Sequence, residues 1–468
     1  MVFSSMIFLW VFLPVVLILG LLIRKQPYQN IILLLASLFF YAWGEPIYII
    51  LLVITIFFNW FFGLCMEKHE NGKKVFLILA IVCDLGLLGF FKYFNFAMEL
   101  LGGIVPSGIL PHSELVLPIG ISFYTFQAMS YVIDLYRGEY PAQKNFLNLA
   151  LYISFFPQLI AGPIVRYIDI EKQLVNRVIT SDKIASGIRR FLYGVGKKVV
   201  IANTLAVSGD QLFDLLPHQM SAGAAWVAAI FYTLQIYYDF SGYSDMAIGL
   251  GRIFGFEFPE NFKYPYLSTS ISEFWRRWHI TLGTWFREYL YIPLGGNRKG
   301  NARTYLNLFI VFAVTGLWHG ANMTFVVWGL YHGFFMIIER LGFSKVLKKC
   351  KPLAHVYAVL VFVIGWVLFR AKDLHTGLTI IKRMVLPWKY TVSSHVMTML
   401  SVQSILALIL GIIGCGILQR LCETKAGAAV AAKWKNSVAE MVFLFVILFY
   451  SMILLASGAY NPFIYFQF

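Results

Sequence analysis

The chain has 468 residues, of which 59% are hydrophobic and only 13% are charged, and its mean hydropathy is +0.72. A water-soluble domain of this length has too little interior to hide so much apolar surface, so the composition indicates a polytopic membrane protein. The formal net charge of +15 comes from basic residues that flank the hydrophobic runs. This follows the positive-inside rule and does not indicate a nucleic-acid-binding protein.

The hydrophobic runs predict an all-α protein with about twelve membrane crossings, since each span needs about 20 residues. The first run lacks a preceding positive segment and a following cleavage site, so we expect a retained span rather than a signal peptide. Arg24 and Lys25 follow the first run, and Lys68, Lys73 and Lys74 follow the third, which places both ends in the cytosol. The predicted spans are Phe3–Ile23, Ile31–Trp43, Ile47–Met66, Val75–Phe91, Leu115–Ile133, Val199–Leu215, Ala222–Asp239, Thr304–Trp318, Asn322–Ile338, His355–Phe369, Met399–Leu418 and Val442–Leu455.

A further apolar run, Phe146–Val165, is interrupted by Pro157 and by Gly162-Pro163 and has basic residues beyond both ends. Non-helical backbone persists at membrane depth only where protein or a water-filled cavity satisfies its hydrogen bonds. We therefore expect a re-entrant segment in which Pro157 and Gln158 line a cavity.

The stretch Ser272–Pro293 predicts one amphipathic helix in the membrane interface, with its aromatic stripe towards the bilayer. Arg276, Gly283 and Arg287 lie on the opposite face. Together with Arg298, Lys299 and Arg303 after the helix, this polar face could attract the phosphates of a cytosolic donor. The alternative is a helix that only anchors to anionic lipid. The stripe consists of Phe274, Trp278, Leu282, Trp285, Tyr289 and Ile292.

Three of the nine histidines, His279, His319 and His332, lie between residues 272 and 333. An ionisable residue inside hydrophobic sequence indicates a functional site, because hydrocarbon penalises it by several kcal/mol. Neutral imidazole at His319 could take a proton from a hydroxyl that attacks an acyl carbon; the alternative is a histidine satisfied by a neighbouring helix. Joint action of His319 and His332 requires a helix break near 320–322, since one continuous helix would point them to opposite sides.

Other chemical signals are weaker. Tyr238–Asp245 places two acids at the predicted end of a span, where capping a helix is the simpler interpretation. The sequence has no metal-ligand spacing, no phosphate loop and no G-x-S-x-G nucleophile motif.

Several blocks of sequence, in order along nearly the whole chain, resemble the membrane-bound O-acyltransferase family, and in particular its alginate O-acetyltransferase branch. The ending N-P-F-I-Y-F-Q-F is also similar to this branch. The main blocks are F-P-Q-L-I-A-G-P-I (Phe156–Ile164), Y-D-F-S-G-Y-S-D (Tyr238–Asp245), N-F-K-Y-P-Y (Asn261–Tyr266), F-W-R-R-W-H-I-T-L (Phe274–Leu282), W-F-R-E-Y-L-Y-I-P-L-G-G-N-R (Trp285–Arg298) and G-L-W-H-G-A-N (Gly316–Asn322).

The resemblance implies a ring of membrane and re-entrant helices around a thin centre. It places the catalytic histidine at His319 and a second functional histidine at His279. We expect donor-binding or tunnel-lining roles for neighbouring residues. These are His332, Trp278, Trp318, Asn322, Arg276, Arg277, Gln158 and Pro157. We expect one domain over 1–468, with N-terminal spans in 1–145, a catalytic core in 146–345 and C-terminal spans in 346–468.

The resemblance also implies acyl transfer from a cytosolic thioester, either acetyl-CoA or an acyl-carrier phosphopantetheine, towards exported or cell-surface polysaccharide. It implies an exported SGNH-type acetyltransferase as partner and a multi-pass location in the bacterial plasma membrane, among membrane lipids, with no tightly bound cofactor and no metal. The sister branch transfers D-alanine towards teichoic acid, and these residues leave that reaction open. A proton-coupled transporter and a scaffold for a synthase complex are the hypotheses from other classes.

Overall fold

The computed structural model describes residues 1–23, 25–102, 115–215, 219–390, 395–458, 461, 463 and 464. Arg24 and most of the N-P-F-I-Y-F-Q-F ending therefore lie outside the described residues. The described residues form helices joined by turns and loops and contain no β-strand, which confirms the predicted all-α class. The predicted division at residues 145 and 345 stays a prediction.

The chain forms two compact units, and the first comprises Met1–Phe191 and Met246–Glu260. In this unit Ile49–Lys68 packs against Lys73–Gly102 and Ile121–Arg137, and Gln26–Gly44 packs against Phe146–Ser154. Its helices are α1 (Leu13–Leu22, preceded by a π-helical turn at Phe8–Phe12), α2 (Gln26–Gly44), α3 (Ile49–Lys68), α4 (Lys73–Gly102), α5 (Ile121–Arg137), α6 (Phe146–Ser154), α7 (Phe156–Leu159), α8 (Tyr167–Val175) and α9 (Ser181–Val195, within which the unit ends).

The second unit comprises Leu192–Asp245 and Asn261–Phe468. Its helices are α10 (Asn203–Phe213, after a π-helical stretch at Gly196–Ala202), α11 (Ala222–Ile253, within which the unit ends), α12 (Ile271–Arg277), α13 (Ile280–Phe286, followed by a π-helical turn at Arg287–Tyr291), α14 (Gly300–His319), α15 (Met323–Ile338), α16 (Ser344–Leu347), α17 (Lys351–Arg370), α18 (Leu374–Val385), α19 (His395–Met399), α20 (Val402–Ile412), α21 (Leu418–Cys422), α22 (Lys425–Trp434) and α23 (Val438–Ala456).

Five helical stretches among the described residues are long and apolar enough to cross a membrane. They confirm the prediction of a polytopic membrane protein, since each meets the length that the hydrocarbon core requires. The shorter helix Phe8–Leu22 is also apolar. The five are Ile49–Lys68, Glu70–Leu101, Lys351–Arg370, Val402–Cys422 and Val438–Ala456.

The predicted break in Phe146–Val165 is present. The segment leaves the helical conformation at Phe155 and becomes irregular after Leu159. Pro157 and Gln158 are both buried in the short helix α7 of the first unit, and Gln158 Nε2 donates to the backbone oxygen of Tyr152 at 2.5 Å. Internal hydrogen bonding of this kind lets non-helical backbone persist at membrane depth.

Helix α11 runs well beyond the predicted end at Asp239, so placing the two acids at the end of a span was wrong. Asp239 and Asp245 lie inside the helix, and each pairs with a lysine rather than capping a terminus. The pairs are Lys198 Nζ with Asp239 at 2.5 Å and Lys197 Nζ with Asp245 at 2.6 Å. Helical backbone satisfies its own hydrogen bonds, which favours continuation through Ser241-Gly242 in a membrane protein.

The prediction of one interfacial helix over Ser272–Pro293 was also wrong. The chain breaks at Trp278-His279 between α12 and α13, and the aromatic stripe faces protein rather than lipid. Phe274, Trp278 and Trp285 are 0%, 2% and 5% exposed. An amphipathic pattern identifies the apolar side of a helix, but protein interior and lipid tails are both apolar, so the pattern does not tell them apart.

Helices α14 and α15 pack closely because glycines face each other's backbone. A Cβ atom at Gly316 would lie within van der Waals overlap of the Phe325 carbonyl oxygen, and one at Gly329 would overlap that of Phe312. Small residues allow such close approach between membrane helices. This contact fixes the end of α14, where His319 lies.

Candidate active site

His319 is the last residue of α14, and α15 begins four residues later at Met323. Gly320 is extended, with φ −169° and ψ 151°, and the Asn322 side chain accepts a hydrogen bond from the Thr324 amide at 3.0 Å. The break near 320–322 that joint action of His319 and His332 requires is therefore present. It places a buried imidazole, 4% exposed, at a helix end rather than within a helix.

The His319 ring lies in an aromatic enclosure. Its centroid is 4.9 Å from that of Trp318, 5.0 Å from that of Trp328 and 5.4 Å from that of Phe369. The His279 centroid is 6.5 Å away. The two histidines that the sequence singled out, 40 positions apart in the chain, therefore lie side by side.

His279 joins α12 to α13 in an unusual backbone conformation. Its φ of 44° and ψ of 54° lie in the left-handed region, which residues other than glycine rarely adopt. The ring is 1% exposed and contacts Phe240 at a centroid distance of 4.7 Å and Trp318 at 6.0 Å. A buried side chain on a strained backbone indicates a position that its surroundings strictly determine.

His332 is completely buried in α15. Its ring centroid is 5.3 Å from those of Trp275 and Trp328, and neither ring nitrogen has a hydrogen-bond partner among the described residues. Trp328 therefore contacts both His332 and His319. The three predicted histidines form one cluster with a shared tryptophan.

A cavity of about 530 Å³ opens beside this cluster. Three arginines line it: Arg276 from α12, Arg287 after α13, and Arg340 after α15. Arg287 pairs with Glu288 at 2.7 Å, whereas Arg276 and Arg340 have no ion-pair partner in the described part of the chain. The remaining wall is mostly apolar and aromatic. The cavity thus combines positive charge with a surface suited to an organic anion.

Glu339 holds the arginine-bearing elements together. Its buried carboxylate accepts hydrogen bonds from the amides of Ile271 at 2.6 Å and Ser272 at 3.0 Å, at the start of α12. It also accepts from the Tyr357 hydroxyl at 3.2 Å. A carboxylate at a helix N-terminus is stabilised by free N–H groups and by the helix dipole. Arg340 is the next residue in the chain, so this anchor positions one side of the cavity.

The cavity stops short of His319. Trp275 lines it, and the Trp275 centroid is 5.6 Å from that of Trp328, whose ring in turn contacts His319. An aromatic wall of these two tryptophans therefore separates the arginine cavity from the His319 imidazole.

The other predicted site residues are distributed less compactly. Trp278 packs in the aromatic core, with its centroid 4.7 Å from that of Trp366. Arg277 pairs with Glu273 at 2.9 Å. Asn322 caps α15 and donates to the Lys372 carbonyl at 3.1 Å. Pro157 and Gln158 belong to the first unit.

Sequence reasoning missed Trp328, Arg340 and Asn261 as site residues. Trp328 lies one helical turn before His332, a spacing that places both on one face of α15. Arg340 looked only like a basic flank to a span. Asn261 accepts a hydrogen bond from His279 Nδ1 at 3.0 Å, and no signal in the sequence links two residues 18 positions apart across an irregular loop.

The helical architecture indicates a multi-pass membrane protein, and the buried histidine cluster is its candidate active site. A model of the membrane-bound O-acyltransferase family matches residues 139–380, which include all three histidines. The "Probable alginate O-acetylase AlgI" of Pseudomonas putida is 42% identical over the full length of both chains. The peptidoglycan O-acetyltransferase of Helicobacter pylori is 39% identical over 82% of this chain and 80% of its own.

The teichoic acid D-alanyltransferase of Bacillus subtilis is 28% identical over 57% of this chain and 71% of its own. Taken together, the family match and the full-length similarity show that this chain belongs to the membrane-bound O-acyltransferase family. The protein is therefore an O-acyltransferase of the cell membrane, which confirms the enzyme interpretation over the transporter and scaffold hypotheses.

Proposed function

We propose that this protein transfers an acetyl group from a cytosolic thioester towards a hydroxyl of exported or cell-surface polysaccharide, with His319 as the catalytic base. The observation that carries the proposal is the pairing of the buried His279 and His319 rings, 6.5 Å apart, next to a cavity lined by arginines. The relatives support the acetyl group and the acceptor class, because alginate and peptidoglycan both contain sugar hydroxyls. These relatives are named as O-acetylating enzymes and are 42% and 39% identical to this chain.

The chemistry needs one base and one leaving thiol. The acceptor oxygen attacks the thioester carbonyl carbon while a ring nitrogen of His319 takes the hydroxyl proton, and the C–S bond then breaks. The proton on the imidazole passes to the departing thiolate, so an ester and a free thiol are formed and the histidine is regenerated. The neutral imidazole is the form of histidine that can accept this proton.

The arginine cavity is suited to the donor. Acetyl-CoA and acyl-carrier phosphopantetheine both carry phosphate at the end of a flexible thioester arm, and guanidinium groups form charge-assisted hydrogen bonds to phosphate. In this proposal Arg276 and Arg340 hold the phosphate while the arm extends towards His319. The wall formed by Trp275 and Trp328 has to open for the acyl carbon to arrive.

On the acceptor side, the acetyl group passes either to polysaccharide directly or to an exported SGNH-type acetyltransferase that completes the transfer. Both acceptors present a hydroxyl, so the same base serves either. Exclusion of water by the aromatic enclosure of His319 would protect the thioester from hydrolysis.

The test uses purified protein in proteoliposomes with labelled acetyl-CoA and oligosaccharides of alginate or peptidoglycan as acceptors. We expect His319→Ala to lower labelled ester formation roughly 100- to 10,000-fold, the usual contribution of a general base. The matched control is His375→Ala, an exposed histidine on α18. Wild-type rates for His319→Ala would contradict the catalytic assignment. D-alanyl transfer from a charged carrier protein, with no acetyl transfer, would assign the chain to the D-alanylating reaction instead.

The donor assignment has its own test. We expect Arg276→Gln with Arg340→Gln to raise the KM for acetyl-CoA by roughly 100-fold or more, because each of the two lost hydrogen bonds to a charged group contributes about 1.5–3 kcal/mol. The KM for acetyl-pantetheine, which lacks phosphate, should hardly change. Arg420→Gln, on α21 away from the cavity lining, is the control. Equal effects on both donors would show that these arginines do not bind phosphate.

A further inference from the structure

Asn261 is a buried side chain, 1% exposed, at the start of the N-F-K-Y-P-Y block. Its Oδ1 lies 3.0 Å from His279 Nδ1, 2.9 Å from the Thr281 hydroxyl and 3.3 Å from the Thr281 amide nitrogen. Its Nδ2 donates to the Ser244 hydroxyl at 3.1 Å. Every polar atom of this amide is therefore in use.

These contacts fix the orientation of the amide and, through it, the protonation of the imidazole. A backbone N–H can only donate, so the atom that faces the Thr281 amide must be the Asn261 oxygen rather than its nitrogen. An amide oxygen can only accept, so His279 Nδ1 must carry the proton in that contact. In a neutral ring the other nitrogen, Nε2, then has a lone pair and no proton.

Asn261 also holds the backbone on which the ring is mounted. The backbone carbonyl oxygen of Asn261 accepts a hydrogen bond at 2.9 Å from the amide of Ile280, the residue directly after His279. The left-handed conformation of His279 costs on the order of 1–2 kcal/mol, and these contacts help to offset it. One asparagine therefore determines both where the imidazole lies and which nitrogen is protonated.

The lone pair on Nε2 has no hydrogen-bond partner among the described residues. The rings around His279 are those of Phe240, Trp318 and His319, and the titratable one of these is His319. With the two imidazole centroids 6.5 Å apart, one oxygen atom can bridge the rings, as water does at many polar sites. A buried acceptor without a partner indicates that a group absent from the protein itself completes the site.

We propose that Asn261 is a positioning residue that holds His279 in the Nδ1-protonated form, so that its Nε2 accepts a hydrogen bond from the acceptor hydroxyl. This inference rests on the proposed acetyl transfer. Neutral His279 in this form cannot donate from Nε2 to the oxyanion that develops on the thioester carbonyl. His279 therefore orients the attacking hydroxyl next to His319, and stabilisation of the oxyanion falls to other groups.

The experiment compares Asn261→Leu with Asn261→Asp in the proteoliposome assay. Leucine has a similar volume but lacks the oxygen that accepts from His279 Nδ1. We expect kcat to fall at least about tenfold, because His279 is then no longer held in the geometry that acid–base catalysis requires. Aspartate accepts from the same donors and should restore most of that loss at alkaline pH. Its carboxylate stabilises doubly protonated imidazole, which has no lone pair, so the acidic limb of the rate profile should move to higher pH. Asn203→Leu, a buried asparagine bonded to Asn461, is the matched control.

Wild-type behaviour of both Asn261 variants would overturn the inference, and so would equal loss in both with the pH profile unchanged. Nitrogen NMR of the ¹⁵N-histidine-labelled protein, with the His279 signals assigned by their loss in His279→Gly, gives a second measurement, made on the wild type itself. A signal from protonated Nδ1 and unprotonated Nε2 at His279 supports the inference, and the opposite tautomer refutes it. If wild-type protein transfers no acetyl group, the proposed function fails while the NMR result still decides the tautomer.

Discussion

The second unit contains two buried polar clusters, one built around an ion pair and the other around uncharged rings with unpartnered nitrogens. Lys198 and Asp239, 1% and 2% exposed, pair with each other at 2.5 Å, and Asp239 also accepts from the Ile464 amide at 2.9 Å. In the histidine cluster, both nitrogens of His332 and the Nε2 of His279 have no hydrogen-bond partner among the described residues. Partnered groups of this kind hold a fold together, whereas unpartnered ones cost stability and persist where a ligand uses them.

Removing one member of the partnered cluster should have the largest effect on stability. We expect Lys198→Met to lower the free energy of unfolding by about 3–5 kcal/mol, because it leaves the Asp239 carboxylate buried without its cation. Thermal unfolding in detergent measures this. The neighbouring Lys197→Met breaks a more exposed pair with Asp245 and should cost about 1 kcal/mol or less. Equal losses in the two variants would contradict the comparison.

A substitution at the contact between α14 and α15 tests how far the histidine cluster depends on the close packing of these two helices. We expect Gly316→Ala to cost about 1–3 kcal/mol, since the added methyl group meets the Phe325 carbonyl and pushes α14 from α15. Acetyl transfer should fall with it, because His319 ends α14. Gly86→Ala, where nothing lies within 4 Å of the new atom, is the control and should be neutral or stabilise α4 by up to about 1 kcal/mol. Wild-type stability and rate in Gly316→Ala would show that the contact is not needed.

The unpartnered cluster should respond in activity rather than stability. We expect His332→Phe to keep the unfolding free energy within about 1 kcal/mol, since it removes two buried nitrogens that have no partner. We expect the acetyl-transfer rate to fall about tenfold or more, as it does when a positioned acid–base group is lost.

Tyr331, the residue before His332, should show the opposite pattern, with an effect on stability and none on the rate. Tyr331→Phe removes a hydroxyl that donates to the Val361 carbonyl at 3.0 Å, and it should lose about 1 kcal/mol of stability with the rate unchanged. A His332→Phe variant that is less stable but fully active would reverse the interpretation of the histidine cluster.

The smallest effect should come from a partnered group at the surface. Asp373 accepts from the Thr376 amide at 2.7 Å at the start of α18, and this hydrogen bond holds the pKa of the carboxyl below its usual range. Its stabilisation is therefore present above the ordinary aspartate pKa and is lost as the pH falls through the lowered one. We expect Asp373→Ala to cost about 1 kcal/mol at neutral pH and Asp373→Asn much less. Identical melting temperatures for the wild type, Asp373→Ala and Asp373→Asn would show that the Asp373 cap does not stabilise the protein.

The sequence indicated the all-α membrane class and five of the predicted spans, and it singled out His279 and His319, whose rings lie side by side. The break at 320–322 is local, because glycine is a poor helix former and asparagine is a common N-cap, as Asn322 is for α15. The break at Trp278-His279 had no such signal, since it depends on Asn261, which lies in a different loop. The lipid-facing assignment of Phe274 and Trp278 failed because the apolar stripe has the same pattern in lipid and in a protein core.

The extent of α11 and the arginine cavity depend on tertiary structure. The sequence around Asp239 does not indicate that its ion-pair partner is Lys198, 41 positions earlier. Arg276 and Arg340 come from separate helices that Glu339 holds together. Periodicity and composition describe neighbouring residues, so they do not predict contacts between residues that are far apart in the chain.

The left-handed backbone at position 279 has a practical consequence for probing this histidine. Glycine adopts that conformation without strain, whereas alanine does not, so His279→Gly deletes the ring while sparing the loop. The vacated space is the size of the lost side chain and could admit imidazole added to the buffer. Chemical rescue of acetyl transfer by imidazole would then separate the contribution of the ring from that of the chain that carries it.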